Sequence, residues 1–376
     1  MIPSRIDDAL RLWRNNLPQV APYYAVKCNP DPSLLKYLYD QGVLFDCASE
    51  REIFEVKNIA KELSKSSIIY ANPCKSSRDL EAAIEIGCPR TVVDSPEEVF
   101  KLKDCGYKGS AFIRLAVDDS KSVMPFSSKF GAPRNLIESI ARAGRIYSIP
   151  LKGFSFHIGS GGCDSNAYTS AIEMCKNLLP NLRMYGHRPS HIDIGGGFLP
   201  DANDFIKKAK TINKSIHNLH KEYLQIIAEP GRFFATNSFD FYVKVIGKKY
   251  SDEKKEFYYT IDDSLYGQFS CILFDHAKPL WVRVPDDPMP RRRVKGTLFG
   301  RTCDSLDVIA KSGDMEELEV DDWLCFPNMG AYTRATASEF NGFPRPEVIV
   351  SDSVMPDLSK APTQVSYAAA VRPLLA

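Results

Sequence analysis

The sequence predicts an α/β protein built from a closed, TIM-like (β/α)8 barrel of parallel strands and a C-terminal, mostly antiparallel β domain. Eight short β-branched or aromatic runs alternate with helix-like segments over the first part of the chain. After Arg232, strand-like runs follow one another without helices of useful length between them. We expect a barrel at residues 1–234, a sandwich- or barrel-like β domain at 235–350 and a disordered tail at 351–376. An open doubly wound sheet is the alternative architecture for the first part.

The barrel prediction rests on where the strands and helix starts fall. Ser95-Pro96-Glu97-Glu98 combines a capping serine, a proline at the first helical position and a glutamate three residues after the cap, and Gly106 ends that helix. Ser49–Glu52 forms a second capping box. The predicted barrel strands are Tyr23–Lys27, Val43–Asp46, Ser67–Tyr70, Thr91–Asp94, Ala111–Leu115, Lys152–Phe156, His191–Ile194 and Gln225–Ala228.

The second domain is predicted from strand-like runs separated by turn residues and loops. A segment with three prolines and three consecutive arginines, Val284–Arg293, is typical of an exposed loop. The predicted strands are Phe239–Ile246, Glu256–Ile261, Cys271–Phe274, Lys295–Phe299, Trp323–Phe326 and Glu347–Val350.

Composition and charge exclude several classes of function. Lys plus Arg is 48 and Asp plus Glu is 47, so the net charge of +1 gives no electrostatic reason to expect nucleic acid or an anionic membrane as a partner. No run approaches the ~18 apolar residues of a membrane span, and the first residues lack the apolar stretch of a signal peptide. The ten cysteines lie at least twelve residues apart, so we expect no metal site. The sequence therefore predicts a cytoplasmic protein.

Polar residues lie where the predicted barrel strands end. Functional side chains of such barrels lie at the carboxyl ends of the strands, and the loops after strands seven and eight often hold phosphate. Strand one ends at Lys27, and strand six leads into His157. Strand seven leads into Gly195–Gly197, where backbone N–H groups can approach an anion closely. Glu229 and Arg232 follow strand eight.

Each of these residues also has a purely structural interpretation. The glycine triplet alone indicates a tight turn, His157 a hydrogen-bonded barrel residue, Lys27 a solvated strand end and Glu52 a helix cap. Their joint placement favours a phosphate-bearing ligand. Pyridoxal phosphate (PLP) has a phosphate, an aldehyde that a lysine captures and a ring nitrogen that an acid keeps protonated.

Pro22–Asn29, which contains Lys27, is one of ten short motifs spread over most of the chain. Together these motifs resemble the eukaryotic ornithine decarboxylase family, PLP-dependent basic amino acid decarboxylases of fold type III, and plant members in particular. Pro22–Asn29 resembles the segment that carries the PLP lysine in that family. The likeness extends from Arg5 to Pro346. The further motifs are Phe45–Ser49, Tyr70–Lys75, Phe156–Gly161, Asp193–Phe198, Ala228–Phe234, Tyr266–Gly267, Phe274–Ala277, Thr302–Asp304 and Asn328–Thr333.

The resemblance implies a role for each matching residue. Lys27 would hold the aldehyde of PLP, Glu229 would pair with the protonated ring nitrogen, and His157 would stack on the ring. Cys303 would return a proton to the substrate's Cα after CO₂ leaves. The residues implied around PLP are Asp46, Glu52, Arg114, Ser160, Gly195, Gly196, Gly197, Arg232 and Tyr332. The residues implied around the substrate are Asp275, Asp304, Tyr266 and Phe340.

The resemblance also implies a substrate and a partner. Asp275-His276 points to L-ornithine, which would be converted to putrescine for polyamine biosynthesis. Lysine or arginine decarboxylation is the alternative, as is an inactive binding protein like the antizyme inhibitors. In the family, two active sites form in a homodimer, so Cys303 and Asp304 would be donated across the interface, and Lys129 would pair with Asp307 between subunits.

Two features depart from the family pattern. Arg301 stands where a proline is expected, directly before Thr302 and Cys303. Lys27 also lies early in the chain, so we expect a strand that precedes it in other members to be missing.

Overall fold

A computed structural model gives the structure of this chain and describes residues 1–59, 67–118, 120, 122, 129–161, 165–217, 219, 224–284 and 291–352. The chain forms two compact units. One unit is Asp7–Phe234, and the other combines Met1–Ile6 with the chain from Ala235 onward. Most of the predicted tail, from residue 353, lies outside the described residues.

The larger unit contains a closed barrel of eight parallel strands, in which β1 pairs with both β2 and β8. This confirms the predicted (β/α)8 barrel and excludes the open sheet. The barrel strands are β1 (Val20–Ala25), β2 (Leu44–Cys47), β3 (Ile68–Tyr70), β4 (Arg90–Val93), β5 (Ser110–Arg114), β6 (Leu151–Ser155), β7 (His191–Asp193) and β8 (Gln225–Ala228).

The helices begin where the capping signals predict. The Ser95 hydroxyl accepts a hydrogen bond from Glu98 N at 3.2 Å, and the Ser49 hydroxyl accepts one from Glu52 N at 3.3 Å. Gly106, just beyond α5, has the left-handed φ of 78° that suits glycine after a helix. The helices are α1 (Pro3–Asn16), α2 (Pro32–Asp40), α3 (Glu50–Ile59), α4 (Ser77–Ile86), α5 (Pro96–Asp104), α6 (Ile137–Ile146), α7 (Ser165–Met184), α8 (Ala202–Ile216), α9 (Arg232–Ala235) and α10 (Ser270–Phe274).

The barrel interior is packed with apolar side chains. Tyr23, Ile69, Val92, Phe112 and Ile227, from five different strands, form one buried cluster. The barrel is therefore a packed core, and polar groups that follow the strands lie above this apolar layer.

The second unit contains one six-stranded mixed sheet in the order β11-β14-β9-β10-β12-β13, where a sandwich- or barrel-like domain is expected from the sequence. All its pairs are antiparallel except β10 with β12. One buried cluster that includes Val243, Tyr259 and Phe326 forms its core. The strands are β9 (Phe241–Ser251), β10 (Glu256–Ile261), β11 (Val282–Val284), β12 (Arg293–Phe299), β13 (Val308–Glu316) and β14 (Trp323–Phe326).

Two predicted strands of this unit are wrong. Cys271–Phe274 is part of helix α10, whose last turn is closed by a hydrogen bond from Asp275 N to Cys271 O at 3.0 Å. Glu347–Val350 forms no regular strand, although Ile349 O accepts a hydrogen bond from the amino group of Met1 at 2.6 Å. Strands β11 and β13 were not predicted.

Within the described residues, none of the helices combines the length and the apolar character needed to cross a membrane.

Candidate active site

Lys27 lies in a 3₁₀ turn, Val26–Cys28, two residues after β1 rather than within the strand as predicted. Its Nζ donates to Asp46 Oδ2 at 2.9 Å. The Asp46 side chain is completely buried in β2, whereas 42% of the Lys27 side chain is exposed. Asp46 Oδ1 is buried and has no hydrogen-bond partner among the described residues. The amine is thus held by a buried carboxylate while remaining accessible from outside.

Glu52 lies in the first turn of α3, next to this ion pair. Its Oε2 accepts a hydrogen bond from Ala48 N at 2.6 Å, as in a helix cap. Removal of its carboxyl from water raises the pKa of Glu52 to about 7, and the negative charge of Asp46 adds to the increase while Lys27 opposes it. Glu52 is therefore both a cap and a group that titrates near neutral pH.

His157 follows β6 and presents a neutral imidazole. Removal from water, with the nearby cations Arg114 and Lys27, holds the pKa of His157 well below its usual value. Its Nδ1 accepts a hydrogen bond from Gly159 N at 3.0 Å, so the neutral ring carries its proton on Nε2. A neutral, oriented ring is suited to stacking on a flat aromatic ligand.

The glycine triplet after β7 forms a cradle that only glycine can line. A Cβ on Gly196 would lie 2.8 Å from both Glu229 O and His157 Nε2. A Cβ on Gly195 would lie 2.1 Å from Phe156 O, and Gly195 and Gly197 have left-handed φ values of 63° and 95°. Because these glycines have no Cβ, the backbone of the triplet can pack directly against the residues that follow β6 and β8.

Glu229, directly after β8, is hydrogen-bonded to this loop through its backbone and neighbours a second buried carboxyl, that of Asp193. The backbone N–H of Glu229 donates to Gly195 O at 2.7 Å. Loss of hydration and the neighbouring Asp193 raise the pKa of Glu229 well above its usual value. Asp193, the last residue of β7, accepts a hydrogen bond from Gly195 N at 2.9 Å and has its own pKa raised to about 7, mainly by burial.

Arg114, Ser160 and Arg232 lie at or after the ends of strands β5, β6 and β8. Arg114 ends β5, with its guanidinium carbon 5.2 Å from the centre of the Phe130 ring. Ser160 lies in the glycine-rich loop after β6, where its carbonyl accepts a hydrogen bond from the Ser122 hydroxyl at 3.1 Å. Arg232 is the first residue of α9.

These residues fit PLP. The triplet offers a cradle that a Cβ would fill, consistent with a phosphate held by backbone groups. Lys27 offers an accessible amine, His157 a neutral ring and Glu229 a buried acid with a raised pKa. The unpartnered buried oxygen of Asp46 is a further acceptor at this end of the barrel.

The second unit holds the residues implied for substrate binding and proton return. Cys303 and Asp304 lie in the loop between β12 and β13. The Tyr266 hydroxyl donates a hydrogen bond to Asp304 Oδ2, and the Tyr266 ring stacks on Phe340 with ring centres 4.3 Å apart. These four residues are therefore brought together.

Asp275 and Tyr332 lie on other segments of this unit. Asp275 follows α10, and Tyr332 has a left-handed φ of 54°. Lys129 belongs to the barrel unit, where its Nζ lies 4.9 Å from the centre of the Phe130 ring.

Asp307 organises the loop that carries Cys303. It is 1% exposed, and its Oδ2 accepts hydrogen bonds from Thr302 N at 3.0 Å and from the Thr302 hydroxyl at 2.6 Å. Its Oδ1 accepts a hydrogen bond from Leu265 N at 2.8 Å. The intersubunit pair with Lys129 stays a prediction.

Two residues beside the site were missed from the sequence. Asp193 was seen only as the start of the glycine motif, although a carboxylate at the end of a barrel strand is itself a signal. Asn341 lies beside Cys303 in a turn that carries no pattern before the structure is known.

Comparisons with known proteins agree with this geometry. The model of the family "Pyridoxal-dependent decarboxylase, pyridoxal binding domain" matches residues 4–236. A chloroplastic ornithine decarboxylase of Nicotiana glutinosa is 40% identical over 342 residues, which is 88% of this chain and 78% of that protein. Antizyme inhibitor 2 of Xenopus laevis is 39% identical over 345 residues, which is 87% of this chain and 75% of that protein.

Solved structures extend the likeness to three dimensions. The crystal structure of the arginine decarboxylase of Paramecium bursaria Chlorella virus superimposes with a TM-score of 0.87 at 34% identity, covering 93% of this chain and 94% of that one. The chain therefore belongs to the family of pyridoxal-dependent decarboxylases, its relatives include the ornithine decarboxylases of eukaryotes, and its cofactor is pyridoxal 5′-phosphate.

Proposed function

We propose that the protein decarboxylates L-ornithine to putrescine and CO₂, a step of polyamine biosynthesis in the cytoplasm. The observation that carries the proposal is Glu229, an acid with a raised pKa at the barrel end that also holds Lys27 and His157. When bound, PLP supplies an aldehyde and a ring that withdraws electrons from the substrate's Cα. Glu229 holds a proton at the ring nitrogen, which strengthens that withdrawal and favours loss of CO₂ over milder chemistry. Lys27 holds the aldehyde, and His157 covers the ring.

Substrate choice rests on carboxylates in the second unit. Hydrogen bonds from Leu306 N and the Tyr266 hydroxyl lower the pKa of Asp304, so this group is ionised at neutral pH. An ionised Asp304, together with Asp275, suits the distal ammonium of a diamino acid. Lysine is longer than ornithine by one methylene, which changes the binding free energy in a pocket by only ~1–3 kcal/mol, so we expect some activity on lysine.

The proposed active site is shared between two copies of the chain. Cys303 and Asp304 of one subunit would complete the barrel site of the other, and Lys129 would pair with Asp307 across the interface. Cys303 is exposed in the single chain, which leaves its thiol available to a second copy. In this arrangement its Sγ passes a proton to the substrate's Cα after CO₂ leaves.

The likeness to antizyme inhibitor 2 supports a second candidate, a protein that acts by binding and has no decarboxylase activity. Such a protein has no need for an amine, a ring-nitrogen acid and a proton donor together. This chain keeps all three, as Lys27, Glu229 and Cys303.

Steady-state kinetics separate these candidates. We would measure kcat/KM for L-ornithine, L-lysine and L-arginine with PLP added, and repeat the series with Asp275→Glu. We expect ornithine to be preferred, and the variant to lose much of its kcat/KM on ornithine because its longer side chain crowds the site of the distal ammonium, while lysine and arginine gain nothing from the shorter pocket. Preference for arginine or lysine in the unmodified protein would overturn the substrate assignment. A folded, PLP-loaded protein without activity on any of the three would favour the binding role.

A further inference from the structure

Asn341 lies against the thiol proposed to return the proton. The carboxamide Oδ1 of Asn341 lies 3.4 Å from both Cys303 Sγ and Cys303 N, each of which is placed to donate to it. Asn341 has a left-handed φ of 58° in the turn Phe340–Gly342. The turn therefore directs one neutral acceptor at the thiol and at the backbone of the loop that carries it.

This turn is attached to the Cys303 loop on both sides. On one side Phe340 stacks on Tyr266, whose hydroxyl donates to Asp304. On the other side the Arg301 guanidinium carbon lies 4.1 Å from the centre of the Phe343 ring, a cation–π contact. Arg301 also donates to Pro344 O at 3.4 Å. Arg301, which stands where a proline is expected, thus connects Phe343 and Pro344 to the loop that carries Cys303.

An amide oxygen can accept a hydrogen bond from a thiol but has nothing to donate to a thiolate. The Asn341 Oδ1 contact therefore fixes the direction of the Cys303 S–H bond. A proton donor needs this orientation, because it must present its proton at one atom.

We propose that Asn341 is a positioning residue that orients the Cys303 thiol, held in place by the Phe340–Tyr266 and Arg301–Phe343 contacts. This inference rests on the proposed role of Cys303. The alternative is that asparagine is present only because it tolerates a left-handed backbone.

Two substitutions distinguish these explanations. Asn341→Gly accepts the left-handed backbone even more readily but removes the acceptor. Asn341→Asp keeps both the size of the side chain and its tolerance of this backbone, but it places a negative charge beside the thiol. The matched control is Asn328→Gly, because Asn328 has a similar left-handed φ of 60° elsewhere in this unit.

The first readout is the alkylation rate of Cys303 by iodoacetamide against pH, followed by mass spectrometry of the peptide that contains it. This readout needs no decarboxylase activity. The charged or titratable groups around the loop and the turn include Arg301, Asp304, Asp307, Tyr266, Glu339, Arg345 and Asp263, which accepts a backbone hydrogen bond from Arg301. None of them is changed in these variants, so any titration of theirs is common to all the proteins compared.

The two variants are expected to shift the alkylation rate in opposite directions. At pH 7 we expect Asn341→Gly to react about twofold faster, because the neutral thiol loses its acceptor. We expect Asn341→Asp to react about fivefold slower, because a charge near 4 Å in water opposes the thiolate. Unchanged rates, or shifts in the same direction, would overturn the proposal. If the Asp variant does not fold, the Gly variant against Asn328→Gly decides alone.

The second readout is the product. After CO₂ leaves, a proton from Cys303 to Cα gives the diamine. A proton delivered to the carbon of the cofactor instead gives, after water adds, an aldehyde and an aminated cofactor. We expect the aldehyde fraction to rise several-fold in Asn341→Gly. A shifted alkylation rate with an unchanged product ratio would support the hydrogen bond between Asn341 and Cys303 but reject its role in proton return. Absence of any turnover in the unmodified protein would reject the proposed function itself.

Discussion

The buried carboxyl groups of Asp193 and Glu229 lie at the ends of the neighbouring strands β7 and β8, close enough that each shifts the pKa of the other. Two carboxylates withdrawn from water cannot both ionise readily, so the pair keeps a proton at neutral pH. A cationic ring nitrogen beside Glu229 would favour the ionised form of that acid, and the proton that the two carboxyls retain would then lie on Asp193. The pair therefore links cofactor binding to protonation.

Without PLP, this arrangement should make stability depend on pH. The pKa values of Asp193 and Glu52 are both raised to about 7, so the unfolded chain releases these protons at lower pH than the folded protein. The free energy of unfolding of the cofactor-free protein is expected to fall as the pH rises from about 4 to about 7. Asp193→Asn keeps an oxygen acceptor for Gly195 N but removes the carboxyl that must ionise in a buried position at high pH. At pH 8 its free energy of unfolding should therefore exceed that of the unmodified protein by ~1 kcal/mol or more. Urea unfolding at pH 4.5 and 8 tests this, and an equal effect at both pH values would contradict it.

Replacement of Glu229 by glutamine should remove the charge that stabilises the protonated ring. We expect kcat on ornithine to fall on the order of 10²–10³-fold with little change in the far-ultraviolet circular dichroism spectrum. Glu138→Gln, which changes an exposed carboxyl on α6, is the control and should leave kcat unaltered. A Glu229→Gln protein with nearly full kcat would show that the acid does not act on the ring.

Gly196→Ala should close the cradle. The added Cβ meets Glu229 O and His157 Nε2 at 2.8 Å, closer than non-bonded atoms approach, so the loop must shift. We expect affinity for PLP, measured by titration of its absorbance, to fall at least tenfold. In Gly247→Ala the new Cβ meets its nearest neighbour at 3.4 Å, an ordinary contact, so the affinity should be unchanged. Equal affinities for the two variants would argue against the cradle.

Mixing two inactive variants tests the shared site. Lys27→Ala and Cys303→Ala are each expected to lose nearly all activity. If subunits exchange randomly, half of the dimers are mixed and carry one intact site, so an equimolar mixture should recover about a quarter of the unmodified activity. A mixture that stays inactive after subunit exchange, followed by mass spectrometry, would mean that Lys27 and Cys303 of the same chain serve one site.

The barrel was predictable because its strands are short β-branched runs in regular alternation with capped helices. Cys271–Phe274 was misread because an apolar run of this length fits a strand or a buried helix equally well. Strand β13 was missed because its outward residues, Lys311 and Asp314 among them, are polar, and the left-handed φ of 37° at Ser312 interrupts its alternation.

The sequence predicts those site residues that directly follow a barrel strand, because the strand pattern locates them. His157 and Glu229 lie just after barrel strands, as the pattern predicts, whereas Lys27 lies in a turn two residues beyond β1. The pairing of Asp193 with Glu229 and the contact of Asn341 with Cys303 depend on loop conformations and on segments far apart in sequence. No local pattern encodes such contacts, so they appear only in three dimensions.

The proposed reaction is tested most directly by comparing the amount of CO₂ released from L-ornithine with the amount of putrescine formed. L-ornithine labelled at the carboxyl carbon would be incubated with the PLP-loaded protein, and labelled CO₂ and putrescine would be quantified together. We expect equal amounts of both, in proportion to bound PLP, and neither product from Lys27→Ala. A folded, PLP-loaded protein that releases no CO₂ from ornithine would contradict the proposed reaction.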